Sequence, residues 1–306
     1  MPPVADNLKG IAMMLLAGLT YIVNDTLIKL ASARLPTGEI ILIRGNFGVV
    51  FILGLVLATG AWRQLRWLRN GKVVLRSFGE VAATILYLIA LFNMPIADIS
   101  ATYQIVPLMT TAAAAIFLGE RVGWRRWIAI AVGFVGVVII MRPGGSGFDA
   151  FFIVAFGSMA FITLRDLVTR RLAPEVPTLD VVTGAAIGVW LLGLGLSLRE
   201  TWVPPTAHEW TLLTAAAVLL LAGHGFMVLA MRHGAVAVVA PFRYAVVVYA
   251  ILIGYFVWGD IPDAYMLVGT AIVVITGVYS FHREHRVAAT ARTDEAREEA
   301  LTDPVL

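Results

Sequence analysis

The stretch from Asn24 to Arg44 gathers reactive side chains in surroundings that resist them. It holds an amide and a carboxylate side by side at Asn24-Asp25, an ammonium at Lys29, a carboxylate at Glu39 and a guanidinium at Arg44. The residues around them are apolar enough for hydrocarbon. Ionisable groups there are costly unless they pair or face water, and by default they mark function. Asp25 and Lys29 are one helical turn apart and share a helix face. Two readings stay open: a site for a solute or a proton, or a structural ion pair whose lysine snorkels to the interface. Arg44 is expected to meet Asp25 across the hairpin turned at Pro36-Thr37-Gly38-Glu39.

Other polar groups stand inside apolar runs. Arg243 and Tyr244 follow Pro241. A proline inside a helix frees a carbonyl, and a break at membrane depth is tolerated where it lines a cavity. Tyr21, Tyr87 and Tyr103 offer ring faces, and Gln104 an amide that needs a partner. His224 lies between Gly223 and Gly225, where it can pack closely or titrate. Arg165-Asp166 reads as a gate or a structural pair, and Glu80 as a partner of Arg76. There is no glycine-rich phosphate loop, metal-ligand spacing or nucleophile triad, so neither enzyme chemistry, nor a cofactor, nor a metal is expected.

The elements that must position these groups follow from composition. Of 306 residues, 59% are hydrophobic and 14% charged, with no cysteine. A usual charged share is about 25%, so a soluble domain this apolar would not cover its own core. A bilayer crossing takes about 20 apolar residues. Ten such spans are expected, at roughly 9–31, 38–60, 73–93, 98–118, 125–142, 149–170, 178–198, 209–231, 236–258 and 263–281, giving an all-α integral membrane protein. Met1 to Asn7 carries no cleavable signal pattern. Lys9, Arg63, Arg66, Arg69, Lys72, Arg76, Arg121, Arg125, Arg126, Arg170, Arg171, Arg232 and the tail residues Arg283, Arg286, Arg292 and Arg297 fall on one side. Arg34, Arg142 and Arg199 fall on the other. This bias places both termini in the cytoplasm. Basic residues spread over separate loops argue against nucleic acid as a partner. Trp62, Trp67, Trp124, Trp127, Trp202 and Trp210 sit at span ends as interface anchors.

The halves repeat. A shift of 141 residues carries Asp25 onto Asp166, Lys29 onto Arg170, Pro36 onto Pro177, Thr37 onto Thr178 and Glu39 onto Asp180. Gly119-Glu120 falls on Gly259-Asp260 at a shift of 140, and Gly136-Val137 on Gly277-Val278 at 141. Five spans is an odd number, so the halves must enter the membrane from opposite sides. Inverted repeats of this kind support alternating access, with the solute near the midplane. The expected units are 1–143, 148–283 and a polar tail at 284–306, largely unfolded or loosely helical. Gly144-Gly145-Ser146-Gly147 links the halves.

The 5+5 pattern, Gly119-Glu120 before Trp124 to Gly136-Val137, and Gly259-Asp260 before the last span resemble the drug/metabolite transporter superfamily in its EamA-type branch. Residues 8 to about 283 carry the resemblance; Asp260 stands where that branch uses glutamate. Asn24-Asp25 with Lys29, Glu39 and Arg44, and Ala240-Pro241-Phe242-Arg243-Tyr244, are similar to bacterial importers of riboflavin and S-adenosylmethionine. The resemblance implies a multi-pass transporter of the bacterial inner membrane, monomeric or homodimeric, moving a small organic metabolite without a nucleotide. Asn24, Asp25, Lys29, Arg44, Tyr21, Tyr103, Gln104, His224, Arg243 and Tyr244 are the candidate solute or coupling groups. Flavin uptake is the leading expectation. Alternatives are S-adenosylmethionine uptake, metabolite export, or a receptor or structural protein that keeps the fold without transport.

Overall fold

A computed structural model describes residues 4–60, 67–120, 122–142 and 150–302. Trp62, Arg63, Arg66, Arg121 and the Gly144 to Gly147 link lie outside the described residues. Every regular element among the described residues is helical. The order is α1 (Val4–Ala31), α2 (Thr37–Ala58), α3 (Gly71–Asn93), α4 (Ile96–Tyr103), α5 (Val106–Leu118), α6 (Trp124–Met141), α7 (Phe151–Arg170), α8 (Thr178–Ser197) and α9 (Ala207–His233). Then come α10 (Val236–Val239), a 3₁₀ segment (Ala240–Tyr244), α11 (Ala245–Trp258) and α12 (Ala264–Thr302). Ten of these stretches are long and apolar enough to cross a membrane, at the expected places. Large apolar side chains such as Phe51, Leu57, Phe117, Val218 and Phe256 point outward, as lipid contact requires.

The span boundaries have local causes. Gly119 (φ 70°) and Gly259 (φ 72°) close α5 and α11 in the left-handed conformation, which favours glycine. The next amide then reaches back, Glu120 to the Ala114 carbonyl and Asp260 to that of Gly254. The Gly-Glu and Gly-Asp pairs are thus matched helix stops. Thr206 and Glu209 form a reciprocal capping box at the start of α9.

Two spans are interrupted. Pro241 ends α10 in a 3₁₀ turn, as its lost amide predicts. The span expected as continuous over 98–118 is also broken, between α4 and α5. Pro107 cannot donate, and its ring excludes the carbonyl four residues back. The amides of Gln104 and Ile105 turn instead to Ala101 and Thr102, at 3.1 Å each. The tail does not end at the last span: α12 continues to Thr302, through alanine, glutamate and arginine that favour helix.

Packing pairs α1 with α9, α2 with α8, α3 with α7 and α6 with α12. Glycine permits the close approaches. A Cβ on Gly136 would stand 2.9 Å from the Gly269 carbonyl oxygen, and one on Gly269 2.5 Å from that of Gly136. At one end of the bundle, Arg34 pairs with Glu209 and also bonds the Pro204 carbonyl, while Arg142 pairs with Asp263. The hydrogen bond to Glu209 holds the Arg34 guanidinium above its ordinary range. At the other end Arg170 pairs with Glu120 at 3.1 Å, and Lys72 reaches the Arg171 carbonyl at 2.9 Å.

Candidate functional site

The site is built where α1 and α3 meet the two broken spans, with Arg44 of α2 in electrostatic range. Asp25 is 9% exposed. Its Oδ1 accepts from the Asn24 amide at 2.9 Å, and its Oδ2 from the Tyr87 hydroxyl at 2.6 Å. Arg44 acts on this carboxylate and on Tyr87 electrostatically, but no ion pair closes between Arg44 and Asp25. Its Nε is buried without a partner. The Tyr87 ring meets Tyr103 edge to face, centroids 6.2 Å apart. Tyr21, one turn before Asp25, meets His224 edge to face at 5.5 Å. Gly223 makes that contact possible: a Cβ there would fall 2.8 Å from both Thr20 and Tyr21. His224 Nδ1 shares a 2.7 Å contact with the Leu220 carbonyl of its own helix.

Arg243 enters from the 3₁₀ turn and lies within electrostatic reach of Tyr21 and Tyr103. Beside it opens a cleft of about 60 Å³, lined by Pro107, Thr111, Tyr244, Gly277 and Ser280 among others. Pockets that hold drug-sized solutes run to roughly 300–1,000 Å³. The cleft as it stands is smaller than that.

Several expected members stand elsewhere. Lys29 does not pair with Asp25. Its ammonium reaches up to the Met94 carbonyl and over the Trp258 ring, 5.0 Å from the centroid, with Asp98 and Asp260 in electrostatic range. A lysine stem long enough to snorkel takes the nearer acceptors at the helix end. Gln104 is 2% exposed and donates to the Ser100 carbonyl at 3.2 Å, so it serves the end of α4 rather than the cleft. Arg165 bonds Asp166 at 2.9 Å and Glu80 at 3.2 Å, and Arg76 joins the same glutamate at 3.3 Å. That network links α3 to α7.

Two relationships escaped sequence reasoning. Tyr87 was expected only as a ring, and its role as the hydroxyl partner of Asp25 needed the fold. Trp190 donates to Asn46 Oδ1 at 2.7 Å, joining α8 to α2. An asparagine inside an apolar span was the available signal. No group of three or more His, Cys, Asp or Glu able to hold a metal ion occurs among the described residues.

Ten helices long and apolar enough to cross a bilayer define a multi-pass membrane protein. A model of the EamA-like transporter family matches residues 8–142. The pseudopaline exporter CntI of Pseudomonas aeruginosa is 30% identical over 276 residues, covering 89% of this chain and 96% of that relative. The chain belongs to the EamA-like transporter family. The riboflavin transporter of Vibrio cholerae is 28% identical over 272 residues, with 88% and 91% covered. The S-adenosylmethionine uptake transporter of Rickettsia conorii is 26% identical over 291 residues, with 91% and 94% covered. A solved crystal structure of 21% identity shares the fold, with a TM-score of 0.60 over 90% of this chain and 99% of that one.

Proposed function

We propose that this protein is a secondary transporter that moves a small organic metabolite across the bacterial inner membrane by alternating access. The moving bodies are two inverted five-helix repeats, 1–143 and 148–283, with both termini cytoplasmic. The packing pattern supports them. An inverted repeat makes α1·α9 and α3·α7 mates of one another, and makes α2·α8 and α6·α12 each its own mate. Both repeats also interrupt their fourth span, at Gln104–Ile105 and at Ala240–Tyr244. The observation that carries the reading is the polar cluster of buried Asp25 with half-buried Tyr87, Tyr103, Tyr21 and Arg243. Charges at that depth are retained for a pathway rather than for stability.

Flavin uptake is the specific substrate reading. A planar ring with carbonyls wants aromatic faces and donors. Tyr21, Tyr103 and Arg243 supply them, whereas Gln104 is engaged by Ser100 and the Tyr244 hydroxyl is wedged against Gly277. Relatives named as riboflavin transporters in Vibrio cholerae and Rhizobium johnstonii support the same reading. The test is a riboflavin auxotroph lacking its own importer, grown on limiting riboflavin, with uptake of labelled riboflavin into proteoliposomes beside it. Growth restored by this chain upholds flavin uptake. If growth is not restored while the protein is present in the membrane, the flavin assignment falls and transport of another metabolite remains. A second reading, export, is favoured by the pseudopaline exporter among the relatives, and counterflow out of loaded proteoliposomes distinguishes it.

A further inference from the structure

Most of the interior cations have counter-charges. Arg76 and Arg165 share Glu80, and Arg165 also holds Asp166. Arg44 acts on Asp25, and Lys29 has Asp98 and Asp260 in range. Arg243 differs. Among the described residues it makes no ion pair and no hydrogen bond. Its electrostatic neighbours are the hydroxyls of Tyr21, Tyr103 and Tyr244. It also lines the cleft, where the Thr111 and Ser280 side chains stand close by. A guanidinium at membrane depth with no anion is costly, and arginine in spans ordinarily pairs or faces water.

We propose that the substrate supplies the missing charge: an anionic oxyacid group, carboxylate or phosphate, that docks on Arg243 in the cleft between the broken spans. The proposal rests on the transporter reading and narrows its substrate. A guanidinium presents a planar fork of donors that matches a carboxylate or phosphate with two parallel hydrogen bonds. Neutral riboflavin would leave Arg243 uncompensated. Within the flavins the ring phosphorylated on its ribityl chain fits the site better, and outside them a carboxylate-bearing metabolite does. The solute then neutralises the cation on binding, and the loaded cleft crosses between its two open states with less uncompensated charge than the empty one.

The chain has no cysteine, so one introduced thiol reports on the cleft alone. Thr111→Cys, in the full-length protein in membrane vesicles, is labelled with an anionic methanethiosulfonate (ethylsulfonate) and a cationic one (ethyltrimethylammonium). The ratio of the two rates reads the local potential without any transport. The expected result is that Arg243→Gln lowers the anionic-to-cationic ratio at least tenfold, and that Arg243→Lys restores most of it. Protection by matched probes identifies the group. S-adenosylmethionine against its decarboxylated analogue tests a carboxylate, and riboflavin 5′-phosphate against riboflavin tests a phosphate. A ratio indifferent to Arg243→Gln overturns the proposal, as does protection by the neutral or decarboxylated member equal to that by its acidic partner. Riboflavin uptake with an unchanged labelling ratio would leave the flavin reading standing and remove this one. A shifted ratio without riboflavin uptake would do the reverse.

Discussion

The Tyr87 hydroxyl donates to Asp25 Oδ2 at 2.6 Å and so ties α3 to α1 at the centre of the bundle. With the Asn24 amide on Oδ1 at 2.9 Å, the carboxylate has a donor on each oxygen. Arg44 acts on it electrostatically without closing an ion pair, so two hydrogen bonds and a nearby cation stabilise the charge.

Asp25→Asn keeps the shape and removes the charge. The variant should reach the membrane at near wild-type level, with transport down at least tenfold in proteoliposomes. Tyr87→Phe deletes a hydrogen bond to a charged group, typically about 1.5–3 kcal/mol, so it should lower thermal stability measurably and transport less than Asp25→Asn does. Normal transport by Asp25→Asn together with misfolding of Asp25→Ala would make the carboxylate structural.

Asp263 gives a pH prediction at the end of the bundle. Burial pushes its carboxyl up. The Met266 amide, at 2.9 Å, and the Arg142 guanidinium outweigh that and hold it below the ordinary carboxylate range. A carboxyl depressed in the folded state stabilises fully above its unfolded value of about 3.9, and loses that contribution as pH falls through the lower folded value. The melting-temperature gap between wild type and Asp263→Asn should therefore be constant from about pH 8 to pH 5 and close below about pH 4. Asp263 is 46% exposed in its side chain, so the gap should be small and shrink with added salt. A gap that widens on acidification would contradict the sign.

The elements were legible because their signals are local. Span length, the glycine stops at 119 and 259 and the break at Pro241 can all be read from short windows of sequence. Pro107 carries the same signal as Pro241, but the apolar run around it satisfies a crossing without any break, so the sequence alone does not distinguish the two. The neighbourhood of Asp25 was legible in part. Arg44 acts on Asp25 electrostatically without closing the expected contact, and the spacing from Asp25 to Lys29 misled. Sharing a helix face sets where side chains start, and Lys29 ends at the Met94 carbonyl and Trp258 ring of other spans. Tyr87 and Asn46 have meaning only through α1 and α8, long-range partners that no window of sequence contains.

Topology gives a direct test of the inverted repeats. A reporter inserted after Gly145 and another at the C-terminus are separated by five spans, so they should report opposite sides of the membrane, the C-terminal one cytoplasmic. The same side for both would end the inverted-repeat reading, whatever the substrate.

Gly277 and Tyr244 test whether the cleft wall is a moving part. A Cβ on Gly277 would stand 1.9 Å from the Tyr244 hydroxyl and 2.8 Å from the ring carbon bearing it. Backbone on α12 and the side chain at the end of the 3₁₀ turn thus occupy adjoining space, next to Arg243. Gly277→Ala forces Tyr244 to move, and such overpacking in a tight contact typically costs about 1–3 kcal/mol. The clash is concentrated on the hydroxyl, so Gly277→Ala with Tyr244→Phe should recover part of the loss. Thermal stability and transport, measured on both single variants and the double, form a cycle with a positive coupling in each readout. If Gly277→Ala is silent in both, α12 and the 3₁₀ turn are not in register at this contact. If stability recovers in the double variant and transport does not, the Tyr244 hydroxyl itself contributes to the solute path.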